Sequence, residues 1–187
     1  MNRLMIGALL IGVLGFGARY GHRSVFSHRF LTVIEGQVYQ SGAMPPETLK
    51  KKVLGHGIRA VIDFRRPCDE VDAERTVLTK LGVKHFHLPS EQVPKDEVVD
   101  AFLEIIDHRE YRPVLIHCNH GRGRAVLFAA IYRMEYEGWS NKRAQHVAYL
   151  QSGLGNFKSN SRKGTFILNY VPRWQLPTKL SFSAVSQ

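Results

Sequence analysis

Cys118 and Arg124 frame a short loop in Pro113-Val-Leu-Ile-His-Cys-Asn-His-Gly-Arg-Gly-Arg124, a C-x5-R spacing with His117 directly before the cysteine. Four requirements of phosphate-ester hydrolysis through sulfur can be sought in this chain. Cys118 is the candidate nucleophile, its thiolate favoured by a helix N-terminus and a nearby arginine. Arg124 offers a planar fork for two phosphoryl oxygens, a geometry lysine does not match. Gly121 and Gly123 give the backbone the freedom to aim successive N–H groups inward. His117, Asn119, His120 and Arg122 complete the set expected to contact substrate. The fourth requirement, a proton donor for the leaving oxygen, points to the segment Pro89–Glu97, which supplies Glu91 and Asp96. Glu91 is the first choice because it precedes Pro94 in the loop. Asp96 has a second reading as the cap of the following helix.

The elements around this loop must place it. Pro113 to His117 is the most apolar strand, and Arg124 to Glu137 reads as a central helix, apolar nearly all round. Upstream, Glu35-Gly36 signals a turn before the short strand Gln37–Gln40. A helix follows the Pro45-Pro46 turn and ends at Gly55 and Gly57. Arg59–Phe64 reads as a buried strand, and Asp69–Leu81 as a helix with Val71, Ala73, Val77 and Leu81 turned inward. Val83–Leu88 alternates like a half-buried strand. Asp96–His108 is amphipathic, with Val98, Val99, Phe102, Leu103 and Ile106 on one face. Two further helices are predicted, one starting near Ser140 and reaching Leu150, the other spanning Lys163–Tyr170. Strands alternating with helices define an α/β fold with a central, mainly parallel sheet flanked by helices, and ligands of such sheets bind at the carboxyl ends of the strands. The cysteine loop lies at such an end.

The chain has 187 residues and a formal net charge of +10. That balance favours anionic partners: a phosphorylated protein, a small phosphorylated molecule or an acidic lipid surface. Zinc-finger spacing, a basic helix and an aromatic RNA-binding pattern are all missing, so no nucleic acid is expected. Two cysteines, Cys68 and Cys118, exclude a disulfide-stapled small fold and a CxxC zinc site. Met1–Ala18 has one early positive charge and then an apolar run shorter than the roughly 20 residues of a membrane span. It fits an export signal or an uncleaved anchor, with membrane association through this segment. The division expected is therefore 1–23 signal peptide or anchor, 24–32 linker, 33–176 catalytic domain and 177–187 loose tail.

His117-Cys-Asn-His-Gly-Arg-Gly-Arg124 resembles the signature of the protein tyrosine phosphatase superfamily, in its atypical dual-specificity branch. Glu35-Gly-Gln-Val-Tyr-Gln-Ser-Gly42, Gly57-Ile-Arg-Ala-Val-Ile-Asp-Phe-Arg65 and Leu88-Pro89 are similar to that branch. Phe128-Ala-Ala-Ile-Tyr-Arg133 with Glu137-Gly-Trp139 is similar to exported bacterial tyrosine phosphatases. The resemblance implies that Cys118 forms a phosphocysteine, that Arg124 binds phosphate, and that a carboxylate after Pro89 is the acid. It implies no metal and no cofactor. Three departures stand out. Ala125 replaces the usual Ser or Thr whose hydroxyl helps the thiolate leave. The acid loop lacks a clear Asp in the setting familiar from the family. Arg122 sits where phosphoinositide phosphatases of the tensin-homologue type carry a lysine, in a similar Gly-basic-Gly-Arg arrangement. Some relatives also pair a cysteine placed like Cys68 reversibly with the nucleophile; the alternative is an incidental loop cysteine.

Three functions follow as expectations: a phosphatase acting on phosphotyrosine with Ser/Thr activity, a phosphoinositide or inositol-phosphate phosphatase, and a phosphate-binding module that turns over slowly or not at all. For the N-terminal segment, expression with and without Met1–Ala18 followed by cell fractionation is expected to find the longer product in the membrane or exported fraction. A cytosolic full-length product contradicts the export reading.

Overall fold

The computed structural model describes residues 28–153 and 155–176. The apolar run Met1–Ala18 and the tail after Leu176 lie outside them. Among the described residues, no helix is long and apolar enough to cross a membrane.

Five strands form one sheet in the order β1-β2-β5-β3-β4. They are β1 (Leu31–Ile34), β2 (Val38–Gly42), β3 (Ala60–Asp63), β4 (Lys84–His87) and β5 (Val114–Cys118). β5 is central and parallel to β2 and β3, β3 is parallel to β4, and only β1 pairs antiparallel, with β2. Every residue of β5 is buried, as its continuous apolar run requires. Fully burying Leu115 or Ile116 contributes about 1.5–3 kcal/mol each.

The helices form two layers. α1 (Pro46–His56) and α2 (Asp69–Lys80) cover one face, where Leu49, Val53 and Leu78 pack on Tyr39, Val61 and Leu115. α3 (Asp96–Asp107), α4 (Arg124–Tyr136), α5 (Asn141–Ser152) and α6 (Arg162–Asn169) cover the other. There Phe128 of α4 stacks on Phe64 at 3.9 Å between ring centroids, and Phe102 of α3 meets Phe128 edge-on at 4.9 Å. α4 is buried from Ala125 to Met134, the central helix its composition predicts.

Three expectations are corrected. The linker does not reach residue 32: Leu31–Ile34 is a strand, because the turn at Gly36 (φ +68°) folds it back onto β2. α1 runs through Gly55 and stops at Gly57, which takes the left-handed conformation with φ 60°. The inward stripe of α2 is Val71, Glu74 and Leu78, with Ala73 exposed.

Glu74 is thus a carboxylate in the core, and it is held there by a network. Its Oε2 accepts from Arg65 at 2.8 Å and its Oε1 from His117 Nε2 at 2.8 Å. Arg65 also binds Asp63 through Nε at 2.9 Å and a second nitrogen at 2.8 Å. His85 Nε2 stands 3.4 Å from Glu74 Oε1, a charge contact without hydrogen-bond geometry. Burial alone would push the Glu74 carboxyl up. The His117 hydrogen bond, the close approach of His85 and the charges of His117 and Arg65 outweigh it and hold the carboxyl well below its ordinary 4.5. The unfolded chain therefore binds this proton first, so the Glu74 contribution is complete above about pH 4.5 and is lost as pH falls below it. Removing one partner of such a buried pair costs roughly 3–5 kcal/mol. Glu74→Gln is expected to lose about that much in urea melts at neutral pH, and its stability should fall less steeply on acidification than that of the unsubstituted chain. A variant within 1 kcal/mol (roughly the worth of a lone hydrogen bond) contradicts the role given to the network.

Candidate active site

β5 delivers two consecutive residues to opposite faces of the sheet, as a strand must. His117 turns toward α2 and into the Glu74 network, 2% exposed. Cys118 turns toward α4, 3% exposed, at the floor of a cavity of about 650 Å³. The expectation that His117 contacts substrate is corrected: it lies beneath the sheet, and the alternation that aims Cys118 at the cavity turns His117 away from it.

The loop after Cys118 is pinned to β2. Ala43 N–H donates to the Asn119 carbonyl at 3.1 Å. Gly121 has φ +63°, and a Cβ there would lie 2.5 Å from the Gly42 nitrogen. Two backbones meet at this point, which is why the position takes a glycine. Asn119, His120, Arg122 and Gly123 line the cavity, whereas Gly121 is buried against β2.

Arg124 opens α4, with Gly123 at the cap position and no side chain capping the helix. Free backbone N–H groups and the helix dipole therefore face the cavity. One guanidinium nitrogen of Arg124 donates to the carbonyls of Phe64 and Ser90, the latter at 3.2 Å. Two carbonyls from different loops fix the fork in place.

The proposed proton donors fall differently. Glu91 is exposed and pairs with Arg66 at 3.2 Å, outside the cavity, although its neighbour Gln92 lines it and Ser90 binds Arg124. Asp96 is not at this site. It is the first residue of α3, following Lys95 at the cap position, and lines a separate cavity with Arg162 and Arg173. The expectation for Asp96 is corrected, because the start of α3 carries it to that second cavity and not to the one at Cys118.

Sequence reasoning missed His28, Gln92, Asn156 and Lys163, all of which line the cavity. Lys163 comes from the first turn of α6, and only the fold brings that helix back over the loop. No carboxylate lines the cavity among the described residues. Cys68 opens instead into a neighbouring cavity of about 600 Å³ that shares Asn119 and Arg124, and both cysteines are free. Asp63, Glu74 and His117 have ligand atoms within 4.8 Å of one another, a spacing that suits a metal. Arg65 binds both of those carboxylates and supplies the cation there.

A buried strand ending in cysteine, a glycine-bearing loop and an arginine at a helix mouth thus meet at one cavity. Residues 31–165 match the family described as DSP-PTPase phosphatase fused to NAD+ kinase, and the chain belongs to this family. The chain is 32% identical over 101 residues to the dual specificity protein phosphatase TpbA of Pseudomonas aeruginosa, covering 53% of this chain and 44% of that one. It is 29% identical over 115 residues to the inositol diphosphatase DSP3 of Arabidopsis thaliana, covering 58% of this chain and 55% of that one. It thus spans about half the length of these curated relatives. The core catalytic domain of the PP-IP phosphatase SIW14 from S. cerevisiae, in complex with citrate, superposes with a TM-score of 0.64 at 20% identity, over 76% of this chain and 85% of that one. A cysteine-to-serine variant of P. aeruginosa TpbA bound to phosphotyrosine gives 0.59 at 22%, over 76% and 84%. These likenesses show the fold.

Alanine at position 121 meets both a left-handed backbone and the Gly42 nitrogen, a strain of about 1–3 kcal/mol that the loop must relieve by moving. Gly121→Ala is expected to weaken binding of inorganic phosphate by roughly tenfold or more, measured by calorimetry. Unchanged affinity contradicts a cradle built on this contact.

Proposed function

We propose that this chain is a cysteine-dependent phosphatase hydrolysing phosphomonoesters, phosphotyrosine first, with dual-specificity character. The observation that carries the reading is Cys118 at the floor of a cavity with the mouth of α4 and Arg124, and with no carboxylate among its described lining residues. An anion brought by the substrate supplies the charge this cavity lacks.

In the first step the Cys118 thiolate attacks phosphorus, the S–P bond forms and the bond to the leaving oxygen breaks. Arg124 and the loop N–H groups hold the equatorial oxygens as charge spreads over them. Glu91 is the donor assigned to the leaving oxygen. It lies between two residues already at the site, Ser90 and Gln92, and its exposed pairing with Arg66 is a weak tether. Water then attacks the phosphocysteine, and Glu91 takes its proton. The 32% identity to a relative named a dual specificity protein phosphatase supports this reading.

A second reading, a phosphatase for inositol phosphates or phosphoinositides, is favoured by the basic side chains around the same cavity. Arg122, His120, His28 and Lys163 line it in addition to Arg124, more basic side chains than one phosphate needs. A relative named an inositol diphosphatase points the same way. If the substrate of this reading is an inositol diphosphate, the leaving group is itself phosphate and needs little protonation, which suits a cavity without a carboxylate among its described lining residues.

A substrate panel on the full chain decides between them. Cys118→Ser is expected to abolish turnover of an aryl phosphate, and retained turnover contradicts the mechanism. Phosphopeptides turned over faster than inositol phosphates support the first reading, and the reverse order supports the second. Arg122→Ala should lower turnover of multiply phosphorylated ligands more than that of phosphotyrosine.

A further inference from the structure

Lys163 reaches the cavity from an element outside both the cysteine loop and the segment after Pro89. Its placement is built. Ser161 caps α6 by accepting from Gly164 N–H at 3.1 Å. A Cβ on Gly164 would lie 1.9 Å from the Lys158 carbonyl, so the first turn of α6 seats tightly on the preceding loop. The Lys163 side chain then runs inward, 9% exposed, to where its Nζ would stand 2.9 Å from a Cβ on Gly123. The amine therefore lies on the phosphate loop, directly before Arg124. Among the described residues no carboxylate forms an ion pair with it; its neighbour is the Phe157 ring, with Nζ 5.7 Å from the centroid.

Burial and two neighbouring charges decide what such an amine can do. Burial pushes the Lys163 ammonium below its ordinary value, the opposing charge of Cys118 works against that, and Arg124 adds to the lowering. Cys118 is the negative partner within electrostatic reach. At the next helix position, Ala125 is completely buried and carries no polar atom, so that side chain cannot hydrogen-bond the sulfur. The titratable and charged groups that line the cavity with Cys118 are Arg124 from α4, His120 and Arg122 from the loop, His28 and Arg29 from before β1, and Lys163 from α6.

On the phosphatase reading given above, we propose that Lys163 is a further catalytic residue, whose ammonium faces the phosphoryl group on Cys118 and stabilises the charge that returns to sulfur when phosphocysteine is hydrolysed. In that step the water oxygen bonds to phosphorus, the P–S bond breaks, its electron pair goes to Sγ, and the water proton goes to Glu91. Lys163 stays an ammonium throughout and transfers no proton. It takes over at the sulfur a task that Ala125 cannot perform.

The test compares Lys163→Met and Lys163→Arg in the full chain, with thermal melts to confirm folding. Two readouts are taken: the pH dependence of Cys118 alkylation by iodoacetamide, and the burst kinetics of an aryl phosphate. Lys163→Met should move the alkylation midpoint up by about one pH unit. It should also leave a stoichiometric product burst followed by a steady state roughly 10- to 100-fold slower. Lys163→Arg, which keeps the charge, should retain the original midpoint and a steady state within a few-fold. An unmoved midpoint in a folded Met variant overturns the proposal, as does loss of both readouts in the Arg variant. Alkylation needs no turnover, so a protein inactive on every phosphosubstrate would count against the phosphatase reading while still reporting on Lys163.

Discussion

The hydrogen bond from His117 to Glu74 is the constraint on which the mouth of this fold depends. β5 must turn consecutive residues to opposite faces, so fixing His117 below the sheet fixes Cys118 above it. β3 repeats the arrangement one strand away. Asp63 and Arg65 turn into the same buried network, while Phe64 turns to α4 and its carbonyl anchors Arg124. Cys118 and Arg124 are therefore positioned by two neighbouring strand ends tied together beneath the sheet. Burying two carboxylates and a guanidinium is costly, and it is tolerated here because Arg65 and His117 satisfy the carboxylate oxygens at 2.8–3.0 Å.

Above the sheet the electrostatics are the reverse. The network below pairs its own charges, whereas the described cavity lining brings together Arg122, Arg124, Lys163 and two histidines without a carboxylate. The uncapped N-terminus of α4 adds partial positive charge at the same point. On the proposed function, binding and attack on a phosphate both draw on this field. In the proposed mechanism the step that returns charge to sulfur draws on it as well, and there the position of Lys163 and the buried methyl of Ala125 matter most.

Much of this was legible in the sequence because it is local. The apolar run into Cys118, the glycine-bearing loop and the apolar helix after Arg124 are contiguous, and the structure places them as the spacing predicts. β1 was missed because Leu31–Ile34 becomes a strand only by pairing with β2 across the Gly36 turn. Glu74 was missed because a carboxylate reads as solvent-facing until Arg65 and His117, from two other elements, are known to meet it. His117 shows the opposite error: its place beside the cysteine suggested contact with substrate, although strand alternation already argued for the other face. Lys163 and His28 lie far along the chain from Cys118, and no spacing rule connects them to the site.

The phosphocysteine of the proposed mechanism can be sought directly. During turnover of an aryl phosphate, rapid acid quench followed by peptide mass spectrometry should find one phosphoryl group on the peptide containing Cys118, and none on that peptide in Cys118→Ser. Turnover with the phosphoryl group on another residue, or with no phosphorylated enzyme at any quench time in either the unsubstituted chain or Lys163→Met, contradicts the mechanism.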